Sequence, residues 1–208
     1  MPGTRDVTAT RDLIMTAAER LFATRGVAAV SARQISEAAG QGNTAAVGYH
    51  FGTKNGLIKA IIERHSGEIE RIRARMASAA DGSGELRDWI ACLVRPSTEH
   101  LATLGPPSYF ARFAVQVLAD PRLRHLLLEA TFATPAIGTV LAAVDGCLSG
   151  LPDAVRTARD DMANSLILHV VARHERGLAD DTTATSWPDT ATMLIDALVG
   201  LFTAPVTS

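Results

Sequence analysis

The chain contains only two cysteines in 208 residues, Cys92 and Cys147, and they stand far apart with no Cys-x-x-Cys or Cys/His spacing. Neither a disulfide framework nor a zinc site is therefore indicated, and a reducing cytoplasm fits best. The first residues lack the apolar core of a signal peptide, and no apolar run approaches the length that crosses a bilayer. We expect a cytoplasmic protein with no membrane partner.

The sequence also lacks the short motifs that mark common enzyme classes. No glycine-rich nucleotide loop follows a strand, and neither G-x-S-x-G nor HExxH occurs. His169, His174 and Glu175 stand close together, but no histidine pair has the four-residue spacing of a helical metal site. We therefore predict that the protein is not an enzyme and holds no cofactor and no metal.

A strong excess of positive charge is absent as well, since the formal net charge is -2. A generally basic coat for nucleic acid is excluded, and any affinity for nucleic acid has to be local. Residues 1–56 contain six lysines and arginines against four acidic residues, so the positive end of the chain is the N-terminal one.

Apolar residues recur at helical spacing along the whole chain, and no segment from residue 85 onward shows sustained strand alternation. Leu13, Ile14, Ala18 and Phe22 are predicted to lie on the inward, packed face of a first helix that Gly26 ends. Thr53 offers an N-cap to a helix of roughly 25 residues. Further helices are predicted over residues 85–104, 107–119, 121–132, 135–149, 153–177 and 187–203. The predicted fold is all-α.

The most informative stretch lies between residues 30 and 54. Ser31 followed by Gln34 has the capping-box pattern, Gly40 suits the left-handed end of a short helix, and Asn43 suits the cap of the next. Two short helices separated by a tight turn have the layout of a helix-turn-helix, whose second helix lies in the DNA major groove. The inward positions are predicted to be Ile35, Ala38, Ala39, Val47 and Phe51.

The spacing of a set of residues across positions 21–57 resembles the DNA-binding domain of the TetR family of transcriptional regulators. The set comprises Leu21, Phe22, Gly26, Ile35, Ala38, Ala39, Gly40, Tyr49, His50, Phe51, Lys54 and Leu57. The resemblance implies an N-terminal three-helix DNA-binding domain over residues 1–56 and a helical effector-binding and dimerisation domain over residues 57–208.

Carried over position by position, the resemblance implies a DNA-binding surface. Arg33 would reach a base edge or a phosphate, the start of the second short helix would face the bases, and Tyr49, His50 and Lys54 would contact phosphates. The full predicted set is Arg33, Asn43, Thr44, Ala45, Ala46, Gly48, Tyr49, His50 and Lys54. Two features depart from the family pattern: the turn from Gly40 to Asn43 is one residue longer, and Gly48 stands where many members carry tyrosine.

Two further sites are predicted in the remaining helices. An effector pocket of mixed polarity is assigned to Trp89, Tyr109, Phe110, Phe113 and Gln116, with core filling as the alternative. A dimer interface is assigned to apolar stripes on the last two helices. Its residues are Val155, Met162, Leu166, Val170, Leu194, Ile195, Leu198, Leu201 and Phe202. His65 lies on an apolar stripe and is expected to be an interior histidine with a polar partner.

The function that these features and the resemblance imply is a homodimeric regulator, interpreted as a repressor that a small-molecule effector releases from a palindromic double-stranded operator. Activation in place of repression stays open, because DNA binding does not fix the sign of regulation. The alternative is a helical ligand-binding or interaction module without sequence-specific DNA binding. An enzyme with an appended DNA-binding domain is disfavoured because the catalytic constellations are missing.

Overall fold

The structure is a computed structural model that describes residues 4–43 and 45–206, with the backbone alone for residues 4–6. Ten helices and no strand occur in this part of the chain, which confirms the predicted all-α class. The helices are α1 (Thr4–Arg25), α2 (Ala32–Ala38), α3 (Ala46–Phe51), α4 (Lys54–Ala79), α5 (Leu86–Leu104), α6 (Phe110–Ala119), α7 (Arg124–Phe132), α8 (Pro135–Cys147), α9 (Asp153–Ala179) and α10 (Trp187–Thr203).

The predicted helices all occur, with two shifted starts. Helices α6 and α7 each begin three residues later than predicted, because a bend at residues 106–107 with irregular backbone at 108–109 precedes α6, and a turn at residues 121–123 precedes α7. Helix α4 has 26 residues, close to the predicted length. Its start is capped as predicted, since the Thr53 hydroxyl accepts a hydrogen bond from the Gly56 N–H at 3.0 Å.

The chain divides into two compact units. The first unit contains the chain up to His65 together with Tyr109–Ala130, and the second contains Ser66–Ser108 and the chain from Thr131 onward. Helix α4 therefore starts in the first unit and ends in the second. The sequence suggests a different division, after residue 56, between a DNA-binding part and an effector-binding and dimerisation part. That division of roles stays a prediction.

In the first unit, α1 packs on α2 and α6, and α2 packs on α3. Phe22 of α1 stacks on Phe113 of α6 with ring centroids 6.0 Å apart. Two inward positions were predicted wrongly: Leu13 is 55% exposed and Ala38 is exposed. The buried side of α1 passes through Ile14, Ala18 and Phe22, one residue along from Leu13, and the short α2 buries only Ile35 and Ser36.

In the second unit, α5 packs on α10 and on α8, and α9 packs on α10. The core residues of this unit with almost no exposure include Ile90, Val94, Leu101, Val140 and Leu198. Buried polar side chains also occur here, and one of them binds carbonyl oxygens at the end of α10. Arg159, 7% exposed, donates hydrogen bonds to the carbonyl oxygens of Phe202 and Ala204, both at 2.7 Å.

Candidate nucleic-acid interface

The capping box predicted at the start of α2 is present. The Gln34 N–H donates to the Ser31 hydroxyl at 3.2 Å, and the Ser31 N–H donates to Oε1 of Gln34 at 2.8 Å. Gly40, with φ of +68°, adopts the left-handed conformation after the helix, where a side chain would be strained. The local sequence thus fixes where α2 starts and where the following turn bends.

Asn43 shapes the turn before α3 and is not its N-cap. Its side-chain oxygen accepts from the Ala45 N–H at 2.9 Å, whereas α3 begins at Ala46 and no side chain caps its first turn. The longer turn accounts for the difference, because Ala45 separates Asn43 from the helix. Thr44, also predicted to contact DNA, lies outside the described residues.

An exposed surface runs along α2 and α3, and we call Arg33, Ala45, Gly48 and Tyr49 the recognition face. The Arg33 side chain is 76% exposed and Tyr49 is 80% exposed, while Ala45 and Gly48 are also exposed. His50 is half-buried beside Tyr49, with ring centroids 4.9 Å apart. Five of the predicted residues, the four of the recognition face and Asn43, are therefore exposed to solvent.

Ala46 was predicted wrongly to face the bases. It is 6% exposed, and its neighbour Val47 is 1% exposed. Ala46 and Val47 are the buried residues of this six-residue helix, so the methyl group of Ala46 packs against the neighbouring elements. Ala46 thus helps to hold α3 and is not available to a base edge.

Arg33 has a partner that DNA is able to replace. Its Nε donates to Oε1 of Glu37 at 2.8 Å, one helical turn along α2. This hydrogen bond raises the pKa of Arg33, so the guanidinium stays charged. An exposed ion pair contributes little to stability, so a phosphate or a guanine that presents acceptors to the planar guanidinium replaces Glu37 at small cost.

Lys54 acts mainly inside the protein, in contrast to its predicted phosphate contact. Its Nζ donates to the carbonyl oxygens of Val27 at 2.5 Å and Val30 at 2.6 Å, and lies 5.5 Å from the ring centroid of Phe22. Burial lowers the pKa of Lys54. Because two of its three donors hold the connector between α1 and α2, Lys54 fixes the start of α4 against that connector.

Arg11 is a supporting residue that motif reasoning missed. Its guanidinium donates to the carbonyl oxygen of His50 near the end of α3 and lies 4.4 Å from the ring centroid of Phe51. The signal in the sequence was weak but present: Arg11 stands three and seven residues before Ile14 and Ala18, on the apolar side of α1. An arginine on the apolar side of a helix indicates that its guanidinium binds a partner within the unit.

Gly56 was also missed by motif reasoning, although the close approach of Phe51 requires glycine at this position. A Cβ atom at this position would lie 2.2 Å from the carbonyl oxygen of Phe51. The end of α3 therefore passes directly over the first turn of α4. Absence of a side chain at Gly56 allows the two helices to meet at this distance.

His65 has the interior role that was predicted. It is 4% exposed, its Nε2 lies 2.9 Å from Oε2 of Glu19, and its ring stacks on Phe110 at a centroid distance of 4.0 Å. Arg64 donates to the same Glu19 oxygen at 2.5 Å. This cluster joins α1, α4 and α6 within the first unit.

The predicted effector-pocket residues are divided between the two units. Phe110 and Phe113 are buried in the core of the first unit, with Tyr109 and Gln116 half-buried in the same unit. Trp89 belongs to the second unit, where its indole N–H donates to the carbonyl oxygen of Ser83 at 3.0 Å. The alternative of core filling describes Phe110, Phe113 and Trp89.

Four of the nine predicted interface residues were assigned wrongly. Leu194, Ile195, Leu198 and Phe202 are at most 3% exposed because this face of α10 packs within the chain. Met162 is 56% exposed, and the rest of the set is half-buried. The remaining candidates are Val155, Met162, Leu166, Val170 and Leu201.

In the part of the chain that the structure describes, no group of three or more His, Cys, Asp or Glu side chains is arranged to hold a metal ion. In the same residues no single helix is long and apolar enough to cross a membrane. Helices α7 and α8, which form a bent pair, have the required length and apolar character only when they are counted together.

Comparison with known proteins agrees with this geometry. Residues 14–61 match the family described as bacterial regulatory proteins, tetR family. No curated protein matches the chain. The architecture and the match define a helix-turn-helix DNA-binding regulator. Residues 14–61 are thus similar to the DNA-binding domain of TetR family regulators, which are DNA-binding proteins and not enzymes.

Solved structures share the fold along nearly the whole chain. A TetR family regulator from Shewanella sp. PV-4 aligns with a TM-score of 0.58 at 16% identity, covering 93% of this chain and 95% of that one. NalD of Pseudomonas aeruginosa, described as the secondary repressor of the MexAB-OprM multidrug efflux pump, gives 0.57 at 19% identity, covering 93% and 96%. LfrR of Mycobacterium smegmatis, in complex with proflavine, gives 0.50 at 17% identity, covering 96% and 98%. At these identities the likeness establishes the fold.

Proposed function

We propose that the chain is a cytoplasmic homodimeric repressor that binds a palindromic operator through α2 and α3 and releases it when a small molecule binds. The observation that carries the DNA contact is the recognition face, on which Arg33 and Tyr49 are the large polar side chains and both are more than three-quarters exposed. Exposed arginine and tyrosine on a helix-turn-helix are suited to base edges and phosphates.

Contact by such a small surface favours a paired arrangement. Helix α3 has six residues, so one copy makes few base contacts and gains little discrimination. Two copies related by a twofold axis read two half-sites about 34–36 Å apart and double the number of contacts. Gly48, which has no side chain, leaves room for the α3 backbone to approach the duplex closely.

The surface we assign to the homodimer lies on α9. Asp161, Met162, Ser165, Leu166 and His169 form a shallow, mostly apolar area on one face of this helix. An exposed methionine on such a face is typical of a surface that another helix covers. Helices that pair through such faces form a four-helix bundle when each subunit contributes two.

Repression and effector release are supported by the proteins that share the fold. NalD is described as a repressor, and LfrR was solved with proflavine bound. In this chain α4 is a continuous helix that begins in the first unit and ends in the second. A ligand that displaces the second half of α4 changes the separation of the two recognition faces, so both half-sites are no longer contacted together.

The test measures binding to the DNA that flanks the gene for this chain, by fluorescence anisotropy. We expect Arg33→Ala and Tyr49→Phe each to weaken binding by about tenfold or less, and the salt slope to fall by about one for each phosphate interaction that a variant removes. Arg75→Ala is the matched control, since Arg75 is an exposed arginine in the second half of α4. Unchanged affinity in both test variants would contradict DNA binding by the recognition face and would favour a ligand-binding module that does not read DNA.

A further inference from the structure

A pocket of about 380 Å³ lies within the second unit, where α9 ends, the next loop turns back and α10 begins. Small-ligand sites commonly have volumes of about 300–1,000 Å³. The residues that matter for its chemistry are Val170, Arg173, His174 and Arg176 of α9, and Thr190 and Met193 of α10. Three threonines of the loop, at positions 182, 183 and 185, complete the polar part of the wall.

The loop wall of this pocket is fastened to α9. The Thr182 N–H donates to the carbonyl oxygen of Gly177 at 2.8 Å, and Asp181 adopts the left-handed conformation with φ of +52°. A Cβ atom on Gly177 would lie 3.1 Å from the Thr183 side chain, so the loop packs tightly on the helix. The pocket is therefore preformed and does not depend on a ligand to order its wall.

His174 is a buried residue of this wall, and one of its hydrogen-bonding atoms has no partner within the described chain. It is 8% exposed, its Nδ1 lies 3.1 Å from the Thr190 hydroxyl, and its ring meets Trp187 edge-on at a centroid distance of 4.4 Å. Nε2 has no hydrogen-bond partner among the residues that the structure describes. When the Thr190 hydroxyl donates to Nδ1, the ring hydrogen lies on Nε2 as a donor with no acceptor.

The charge around the pocket is positive. Arg173 and Arg176 are exposed on α9, and neither forms a salt bridge within the described chain. Asp180 is the one acidic residue in the pocket wall. The burial that surrounds His174 lowers its pKa, so the imidazole is neutral near pH 7 and adds no charge. Two cations therefore face one acid, beside several hydroxyl groups.

We propose that this pocket binds a small organic carboxylate. The guanidinium groups of Arg173 and Arg176 and the threonine hydroxyls hold the carboxylate, since a planar guanidinium matches its two oxygens. Val170 and Met193 provide the apolar surface against which the body of the ligand packs. Binding itself is independent of DNA, and only its link to operator release rests on the proposed function.

The binding test uses the full chain and three carboxylate probes: benzoate, 1-naphthoate and octanoate. Isothermal titration calorimetry compares each with its neutral carboxamide. We expect at least one carboxylate to bind at millimolar concentration or below, its amide to bind at least about tenfold more weakly, and the double variant R173Q/R176Q to lose about tenfold in affinity for the carboxylate. Arg75→Gln, at an exposed arginine elsewhere in the second unit, should bind as the wild type does.

A second readout locates the ligand and does not depend on affinity. The ring nitrogen signals of His174, assigned by their loss in His174→Gln, should shift on titration, while those of the exposed His125 should not. Binding by none of the three carboxylates, equal binding by the amides, or binding that the double arginine variant leaves unchanged would overturn the proposal. A carboxylate that binds here without changing DNA affinity supports the site and counts against effector release through it.

Discussion

In the first unit, cations held inside the protein bind backbone carbonyl oxygens, and polar side chains are exposed on α2 and α3; in the second unit, a buried arginine binds backbone carbonyl oxygens in the same way, and an apolar face of α9 is exposed. Arg11 and Lys54 bind the carbonyl oxygens next to α3 and α1, and the outward side chains are Arg33 and Tyr49. Arg159 binds the carbonyl oxygens at the end of α10, and Met162, on the same helix as Arg159, is an exposed large apolar side chain. The contrast teaches that a buried charge does not indicate where a functional surface lies. The chemistry of the exposed face is the better guide to function.

The largest effect separates the core of α10 from the surface of α9. Leu198→Ala should lower the free energy of unfolding by about 3 kcal/mol, because Leu198 is fully buried and a cavity would remain. Met162→Ala should change it by less than about 1 kcal/mol and weaken self-association instead. Chemical denaturation and sedimentation measure the two effects. Equal destabilisation by both variants would show that the α9 face is not free for a partner.

The next effect concerns the close approach of α3 to α4. Gly56→Ala should destabilise the first unit by about 2–3 kcal/mol, because the added methyl group meets the carbonyl oxygen of Phe51. Gly67→Ala in the same helix is the matched control, since a Cβ there meets nothing within 4 Å and alanine favours the helix by about 1 kcal/mol. Thermal unfolding measures both. A stable Gly56→Ala variant would mean that α3 and α4 separate easily.

A third prediction contrasts the two cations of the helix-turn-helix unit. Lys54→Met should lower the free energy of unfolding by about 2 kcal/mol, because two carbonyl oxygens of the connector lose a charged donor. Arg33→Met should leave stability unchanged and weaken DNA binding. Urea unfolding and anisotropy measured on the same samples separate the two roles. Loss of DNA binding in a fully stable Lys54→Met variant would restore the phosphate contact that the sequence predicts.

The smallest effect is on the pH dependence of stability. Burial lowers the pKa of His174 below its ordinary value of 6.5. The unfolded chain then binds a proton more readily than the folded chain, so the stability of the second unit falls as the pH drops below about 6.5. In His174→Gln the melting temperature should fall less between pH 7 and pH 5. The same drop in both proteins would show that His174 titrates alike in the folded and unfolded chains.

Local sequence patterns predicted the first unit well, because helix ends depend on neighbouring residues. The capping box at Ser31 and the turn at Gly40 are both present for this reason. Ala46, Lys54 and Arg11 could not be assigned in the same way, since their roles depend on contacts with residues 24 to 40 positions away in the chain or on the packing of a six-residue helix.

The second unit shows the limit of periodicity more clearly. The spacing of Leu194, Ile195 and Leu198 predicts an apolar stripe correctly, but it does not say whether the chain itself or a second copy covers the stripe. Packing of α10 on α5 and α9 decides that question. The pocket at His174 was not predicted either, because it depends on how the loop after α9 folds back against Gly177.

The most direct test of a paired recognition face is the number of chains bound per operator duplex, measured by anisotropy at concentrations well above the dissociation constant. We expect two chains on a duplex with both half-sites and a large loss of affinity when one half-site is scrambled. One chain per duplex, or equal affinity for the intact and the scrambled duplex, would contradict the pairing.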